Sequence, residues 1–253
     1  MNKAICVVPV SPMRAAPSHK TEQVSQLVFG DVVEILERET DFFFINNIYD
    51  GYKGWCPKVH LQHIEDEAAF FPAILTNKWV TTVYVNNAPM QLPLGSNIGF
   101  IKNGAAYIGP LHFSTIEEGL AVPSKPDLQL LQQYAMLYMN TSYQWGGRTV
   151  FGVDCSGYTQ MLYKLIGVPL LRDASQQATQ GEVVDFIQEV RTGDLAFFDN
   201  EEGHIMHVGV MLSSNSIIHA SGKVRIDTMD QAGILNRETG ERSHKLRIIK
   251  RIL

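Results

Sequence analysis

The sequence lacks long apolar runs and clustered basic residues. None of its apolar runs approaches the ~18 to 20 residues that span a bilayer, which favours a soluble protein with no membrane partner. The 21 Lys and Arg are scattered and are outnumbered by 26 Asp and Glu, so the net charge is −5 and we expect no nucleic-acid partner. Charged residues make up only 19% of the chain and hydrophobic residues 45%, which excludes a disordered tail or a coiled coil.

Cysteine is scarce as well. The three cysteines, Cys6, Cys56 and Cys155, are odd in number and far apart, which argues against a disulfide framework and against a zinc site. No other group of residues has metal-ligand spacing, so we expect neither a metal nor a cofactor. Free thiols indicate a reducing compartment and hence a cytoplasmic protein; the alternative, a periplasmic or secreted protein, requires a leader removed before residue 1.

The chain divides into three predicted domains. Residues 4 to about 65 consist of short strand-like segments separated by turn signals, which predicts a small all-β barrel over residues 1–66. Residues 70 to 122 repeat this texture and predict a second, degenerate β domain over residues 67–122. At Val122–Pro126 the composition becomes linker-like and the apolar period changes from two to 3.6, so a third domain covers residues 123–253.

Helices precede strands in the third domain. Asp127 is a predicted N-cap for a first helix, and a second helix begins near Asp154 and stops at Gly167. The pattern is that of strands from Leu195 onward. This order predicts an α+β fold with helices packed on an antiparallel sheet.

Cys155 stands at the first turn of the second predicted helix, in Asp154-Cys155-Ser156-Gly157. Unpaired N–H groups and the positive end of the helix dipole favour a thiolate there, which predicts a pKa below the usual ~8.5. The alternative is a buried structural thiol, which is what we expect of Cys6 and Cys56 among strand-like residues. Polar neighbours and glycines favour a nucleophile at position 155.

A cysteine nucleophile needs a base and a group that orients the base. His207 opens one predicted strand, and His219 lies twelve residues further on the next, so the two fit hairpin partners that face one way. Cys155, His207 and His219 form a predicted Cys-His-His triad. The other histidines are predicted to be ordinary core or surface residues: His19, His60, His63, His112, His204 and His244.

Motifs along the chain match those of a known family. Those of the third domain are Tyr143–Gly147, Asp154–Gly157, Gly193–Phe198, His207–Val210 and Ile218–Ser221. In order and spacing they resemble the NlpC-type cell-wall cysteine peptidases, over roughly residues 125 to 253. The resemblance implies a papain-like fold and cleavage of the bond between γ-D-glutamate and a diamino acid in peptidoglycan stem peptides. The segments Val24–Gln26, Gly30–Asp31 and Asp50–Trp55 resemble a bacterial SH3-like domain, whereas residues 70–122 resemble one only weakly.

The resemblance implies a role for each matching residue. Cys155 attacks the carbonyl, His207 accepts and returns the proton, and His219 orients the imidazole. The Tyr143 hydroxyl joins the Cys155 backbone N–H in an oxyanion hole, with an aromatic core residue as the alternative. Further matching positions line the substrate groove: Trp145, Asp154, Ser156 and Ser175.

The amino end of the substrate is assigned from the same resemblance. In similar enzymes an SH3-like domain closes the groove and requires a free L-Ala amine. Glu22 and Tyr52 are the candidates here, because a carboxylate and a phenol oxygen suit an ammonium group. Asp154 can cap its helix and also bind an ammonium.

The predicted function is a monomeric endopeptidase that recycles murein peptides. It cleaves γ-D-Glu from meso-diaminopimelate or Lys in tri- or tetrapeptides with a free N-terminal L-Ala. The first domain shows no basic or aromatic ladder for long glycan strands, which favours small released peptides. The alternatives are an amidase or acyl transferase on the same thiol, or a cell-wall binding protein without activity; the intact Cys155, His207 and His219 set argues against the last.

Overall fold

Short strands dominate the computed structural model, which describes residues 2–65 and 71–253. The described residues contain 22 strands, three α-helices and two 3₁₀ turns, Lys58–His60 and Ile187–Glu189. They form two compact units. Unit 1 comprises the residues up to Val122 together with Trp145–Val150, and unit 2 comprises Pro123–Gln144 and Phe151–Leu253.

The first seven strands of unit 1 form one antiparallel sheet. Their bounds are β1 Lys3–Cys6, β2 Val10–Arg14, β3 Gln23–Val28, β4 Val32–Arg38, β5 Phe42–Asn47, β6 Lys53–Pro57 and β7 Leu61–His63. They lie in the order β3-β2-β6-β5-β4-β1-β7. In β4, Val33 and Ile35 are buried while Glu34 and Leu36 are exposed, because alternate side chains of a strand point to opposite faces.

Unit 1 contains seven further described strands. They are β8 Ile74–Leu75, β9 Val80–Val85, β10 Ala88–Pro93, β11 Ala105–Ile108, β12 Leu111–Ser114, β13 Leu120–Ala121 and β14 Arg148–Thr149. Strands β9 to β12 form a sheet in the order β10-β9-β12-β11, and β13 pairs with β8. Ile5 and Phe29 of the first half of unit 1 pack with Val83, Leu92 and Phe113 in a single core. The predicted boundary at residues 66 and 67 lies outside the described residues, and the division into three domains stays a prediction.

Unit 2 begins with helices, as the sequence predicts. The helices are α1 Leu128–Leu137, α2 Cys155–Leu165 and α3 Ala174–Gln177. The predicted N-cap of α1 is confirmed, since Asp127 Oδ1 accepts the backbone N–H groups of Gln129 at 2.8 Å and Leu130 at 3.2 Å. The predicted stop of α2 before Gly167 is also confirmed, and that glycine has a φ of +81°, which suits a helix C-terminus.

Unit 2 has eight described strands, and seven of them form a sheet that closes on itself. The eight are β15 Gly152–Val153, β16 Glu182–Val183, β17 Leu195–Asp199, β18 Ile205–Ser213, β19 Ser216–Ser221, β20 Lys223–Asp230, β21 Gly233–Leu235 and β22 Arg242–Arg251. The order β16-β22-β17-β18-β19-β20-β21 is completed by a second pairing of β22 with β21. Every pairing in this sheet is antiparallel. The sequence predicts the antiparallel strands but not the closure.

Helix α2 is buried on all sides, although its sequence predicts an amphipathic helix with one apolar stripe. It packs against β18 and β19. Its polar face is hydrogen bonded within unit 2: Thr159 Oγ1 donates to Gln177 Oε1 at 2.7 Å, and Gln160 Nε2 donates to the Leu170 carbonyl at 3.0 Å. These partners satisfy the Thr159 hydroxyl and the Gln160 amide N–H inside the protein.

Candidate active site

Cys155 is the first residue of α2, where the sequence predicts it. Asp154 is the N-cap, and its Oδ1 accepts the Gly157 backbone N–H at 2.6 Å. The short segment β15 precedes this cap, so the strand before Asp154 and the helix after it fix the position of the thiol. Only 6% of the Cys155 surface is exposed.

The predicted thiolate is not the resting state of Cys155. Burial, followed by the charge of Asp154, raises the pKa of the thiol to about 12, although the backbone N–H groups of Val208 and Ser156 and the Arg172 charge oppose this rise. The prediction of a low pKa is therefore wrong. It weighed the donors of the helix end but not the loss of water and the neighbouring carboxylate.

His207 and His219 are hydrogen bonded to each other, with 2.8 Å between His207 Nε2 and His219 Nδ1. Their rings are nearly perpendicular, at 81°. The β18–β19 register pairs Gly209 with His219, so His207, two residues from Gly209, shares its face of the sheet. Burial lowers the pKa of His207 well below 6.5, and the neighbouring His219 and His244 lower it further, so His207 is neutral at pH 7.

A carboxylate that sequence reasoning missed follows His219. Asp227, on β20, has Oδ2 3.0 Å from His219 Nε2 and is 1% exposed. Burial raises the pKa of Asp227, but hydrogen bonds from His219, the Arg237 backbone and Arg225 outweigh it and lower the pKa below its usual value. The available signal was an acidic residue in the predicted strand that follows the one holding His219.

His244 is not an ordinary core or surface residue, contrary to the prediction. Its ring stacks on that of His207, with centroids 4.2 Å apart and planes inclined at 27°. The pairing of β22 with β17 and β21 brings this strand to the site. Nothing in the local pattern of residues 242–251 specifies those pairings.

Arg172 is a second residue that the sequence did not identify. Its guanidinium is 1% exposed, and it donates to Asp154 Oδ2 at 2.6 Å, to Asp154 Oδ1 at 3.0 Å and to Ser156 Oγ at 2.9 Å. Both oxygens of Asp154 therefore already have a cationic partner. Ser175 lies nearby in the chain, exposed on α3, which packs against β18.

Tyr143 lies beside the segment that leads to the nucleophile. Its backbone N–H donates to the Gly222 carbonyl at 2.9 Å, and the residue forms a parallel bridge with Val153. Burial raises the pKa of its hydroxyl well above its usual value, and the neighbouring Cys155 and Asp154 raise it further. The phenol therefore remains a hydrogen-bond donor.

Three predicted substrate residues belong to unit 1. Trp145 Nε1 donates to Glu22 Oε1 at 2.7 Å, and Gln23 Nε2 donates to the Trp145 carbonyl at 3.0 Å. Trp145 is 58% exposed. Tyr52 is partly buried and packs against the core of the first sheet. The structure thus brings Trp145 and Glu22 together.

Two family models match separate parts of the chain. The NlpC/P60 family model matches residues 140–243, and the bacterial SH3 domain model matches residues 10–62. The chain carries an NlpC/P60 domain and a bacterial SH3 domain. The match to the NlpC/P60 model contains Cys155, His207, His219 and Asp227.

Curated relatives are peptidases. The chain is 24% identical over 258 residues to the gamma-D-glutamyl-L-lysine dipeptidyl-peptidase of Bacillus cereus, covering 87% of this chain and 74% of that one. It is 25% identical to dipeptidyl-peptidase 6 of Lysinibacillus sphaericus, covering 93% of this chain and 94% of that one. The gamma-D-glutamyl-L-lysine dipeptidyl-peptidase of Bacillus subtilis is 28% identical, with 67% and 60% covered. The prediction of a cysteine peptidase is confirmed at the level of the family.

Solved structures share the fold. A crystal structure of an NlpC/P60 family protein from Bacillus cereus covers 99% of both chains with a TM-score of 0.85 at 18% identity. An NlpC/P60 endopeptidase from Photobacterium damselae covers 98% of this chain and 70% of its own, with a TM-score of 0.76 at 16% identity. At these identities the likeness concerns the fold alone.

No helix in residues 2–65 and 71–253 is long and apolar enough to cross a membrane. No group of three or more His, Cys, Asp or Glu residues in those ranges has the arrangement of a metal site.

Proposed function

We propose that this enzyme is a papain-like cysteine endopeptidase that hydrolyses the bond between γ-D-Glu and a diamino acid in murein stem peptides with a free N-terminal L-Ala. The observation that carries the proposal is the hydrogen-bonded His207–His219 pair on strands that pack against the helix begun by Cys155. The names of the Bacillus relatives support the γ-D-glutamyl specificity. Small peptides released from the wall are substrates of this kind. The proposed role of the enzyme is therefore the recycling of murein peptides.

The proposed reaction begins with thiol and imidazole both uncharged. As the Cys155 sulfur attacks the glutamyl carbonyl carbon, its proton passes to His207, which becomes an imidazolium. The Cys155 backbone N–H and the Tyr143 hydroxyl stabilise the oxyanion. The C–N bond then breaks and His207 returns the proton to the leaving amine. Water, deprotonated by His207, cleaves the thioester, releases L-Ala-D-Glu and restores the thiol.

Glu22 is the proposed partner of the substrate's free amine. The Trp145 indole fixes one oxygen of the Glu22 carboxylate, and the second oxygen can accept from an ammonium group. Arg172 already neutralises Asp154, so Asp154 is the weaker candidate for that role. Tyr52 keeps its proposed role as a phenol acceptor in the same unit.

The test compares L-Ala-γ-D-Glu-meso-diaminopimelate with its N-acetyl derivative. Acetylation removes the charge and leaves a carboxylate unpaired, so kcat/KM should fall more than about a hundredfold. Glu22→Gln should lower kcat/KM for the free peptide and leave kcat/KM for the acetylated peptide unchanged. The ratio of the two values should therefore be smaller than in the wild type. Glu37→Gln is the matched control, an exposed glutamate on β4 of the same unit. Similar rates for both peptides would contradict recognition of the amine, and no cleavage of either would contradict the proposed activity.

A further inference from the structure

Two histidines and a carboxylate form one continuous line of hydrogen bonds across three neighbouring strands. His207 on β18 contacts His219 on β19 at 2.8 Å, and His219 contacts Asp227 on β20 at 3.0 Å. The exposed fractions are 5%, 1% and 1%. Water therefore has little access to the two hydrogen bonds. The protons of these bonds lie between His207, His219 and Asp227.

The direction of the hydrogen bonds follows from the end of the line. An ionised carboxylate can only accept, so His219 Nε2 must donate to Asp227. A neutral imidazole has one N–H, which leaves His219 Nδ1 as an acceptor. His207 Nε2 must then donate to it, so the single proton of His207 is on Nε2 and its Nδ1 holds the free electron pair.

We propose that Asp227 is a positioning residue that sets the tautomers of both histidines and thereby makes Nδ1 of His207 the nitrogen that takes the Cys155 proton. This inference rests on the proposed function of Cys155 and His207. In the reaction the S–H bond breaks and an N–H bond forms at Nδ1, so His207 carries two protons while its Nε2–H still donates to His219. The base needs no rearrangement at the moment of transfer.

The contacts of Asp227 keep its carboxylate in the orientation that this role requires. Oδ1 accepts the Arg237 backbone N–H at 2.9 Å and Arg225 Nη2 at 3.1 Å. Arg225 Nε lies 2.9 Å from Oδ2 and adds a positive charge on that side. Two donors hold Oδ1, and Oδ2 is the oxygen that meets His219.

Asp227→Asn tests the proposal because it changes one oxygen into a donor. With Oδ1 held by the same two donors, the new NH₂ group meets His219 Nε2 and forces the His219 proton to Nδ1. His219 then donates to His207 Nε2, and His207 is protonated on Nδ1. We expect kcat to fall on the order of a thousandfold to ten-thousandfold with KM little changed, as for a serine protease triad with the wrong tautomer.

Nitrogen-15 NMR of histidine-labelled protein reads the tautomers without any substrate. The wild type should show Nε2–H on both His207 and His219, and Asp227→Asn should show Nδ1–H on both; His207→Gln and His219→Gln supply the assignments. Asp227→Glu, which keeps an acceptor, should retain the wild-type pattern. Asp230→Asn is the control, a carboxylate of the same strand that pairs with Arg242 at 2.6 Å.

Several outcomes would overturn the proposal. They are a wild-type His207 protonated on Nδ1, a wild-type His219 protonated on both nitrogens, and an Asp227→Asn spectrum identical to the wild type. The wild-type spectrum alone decides the first two, so the proposal remains testable if Asp227→Asn fails to fold. Loss of the proposed function would appear in the peptide assay and leave the tautomers unaffected.

Discussion

The imidazole of His244 lies face to face with that of His207, with ring centroids 4.2 Å apart. Burial, followed by His219, lowers the pKa of His244 to about 4, so two neutral rings stack at pH 7. The Phe198 ring contacts both: its centroid is 5.7 Å from the centroid of the His207 ring and 5.8 Å from that of the His244 ring. The ring of the proposed base is thus held by aromatic neighbours as well as by its hydrogen bond to His219.

His244→Phe should therefore keep the stack, and His244→Ala should lose it. A stacked aromatic pair is worth about 0.5–1.5 kcal/mol, so kcat of the alanine variant should fall about twofold to tenfold while the phenylalanine variant stays near wild type. The alanine variant also admits water to His207, which should raise the pKa of that imidazole and move the acid limb of the pH profile upward. An equal fall in kcat for both variants would show that an aromatic ring stacked on His207 does not control the rate.

Local patterns predicted the nucleophile and its base. An N-cap, a helix start and a strand pair are set within a few residues of Cys155, His207 and His219. Asp227 and His244 were not predicted as site residues because their positions depend on the strand order and the closure of the unit 2 sheet. Periodicity predicts strands but not which strands pair. The Arg172–Asp154 pair joins residues 18 apart on either side of α2, and the thiol pKa depends on burial, which composition does not reveal.

Alkylation by iodoacetamide should report a thiol rather than a preformed thiolate. Because the pKa of Cys155 is about 12, the inactivation rate should keep rising between about pH 7 and 9 without a plateau. Mass spectrometry should place the label on Cys155, with Cys155→Ala as control, since Cys6 and Cys56 are fully buried whereas 6% of the Cys155 surface is exposed. A rate independent of pH over this range would indicate a thiolate–imidazolium pair instead.

The pH profile of cleavage gives an independent check of the same resting state. The base must be neutral, and the pKa of His207 lies well below 6.5, so kcat/KM should persist as the pH falls through 6.5 and decline only at lower pH. No alkaline limb should arise from Cys155 below about pH 11. Half-maximal kcat/KM at or above pH 6.5 would contradict a neutral, buried His207.

Asp154→Asn should destabilise unit 2 through its buried ion pair. Asparagine still caps a helix well, but it leaves the Arg172 guanidinium buried without a counter-charge, a loss of about 3–5 kcal/mol. Asp127→Asn is the matched control, since Asp127 caps α1 through two backbone N–H groups and should change the free energy of unfolding by less than about 1 kcal/mol. Urea unfolding measures both, and equal effects would mean that the ion pair contributes nothing beyond the cap.

Gly209→Ala should disturb catalysis through His219. Gly209 faces His219 in the β18–β19 ladder, and a Cβ there would lie 2.9 Å from His219 Cβ and 2.7 Å from Ile217 Cδ1. The isoleucine tip can move, but the histidine Cβ is fixed to its backbone, so relief of the clash must shift His219 and weaken its hydrogen bond to His207. We expect kcat to fall at least about tenfold and the free energy of unfolding to fall by about 1–3 kcal/mol.

Gly54→Ala separates this effect from the general cost of an added methyl group. Gly54 is also a strand glycine, on β6, and its added Cβ would meet the Arg14 carbonyl oxygen at 3.3 Å, a contact that a small shift relieves. Its kcat should equal that of the wild type. The rates are to be measured at a temperature where circular dichroism shows every variant folded, and the histidine nitrogen spectra should show a weakened His207–His219 coupling in Gly209→Ala alone. A Gly209→Ala enzyme with unchanged kcat would mean that the position of His219 does not control the base.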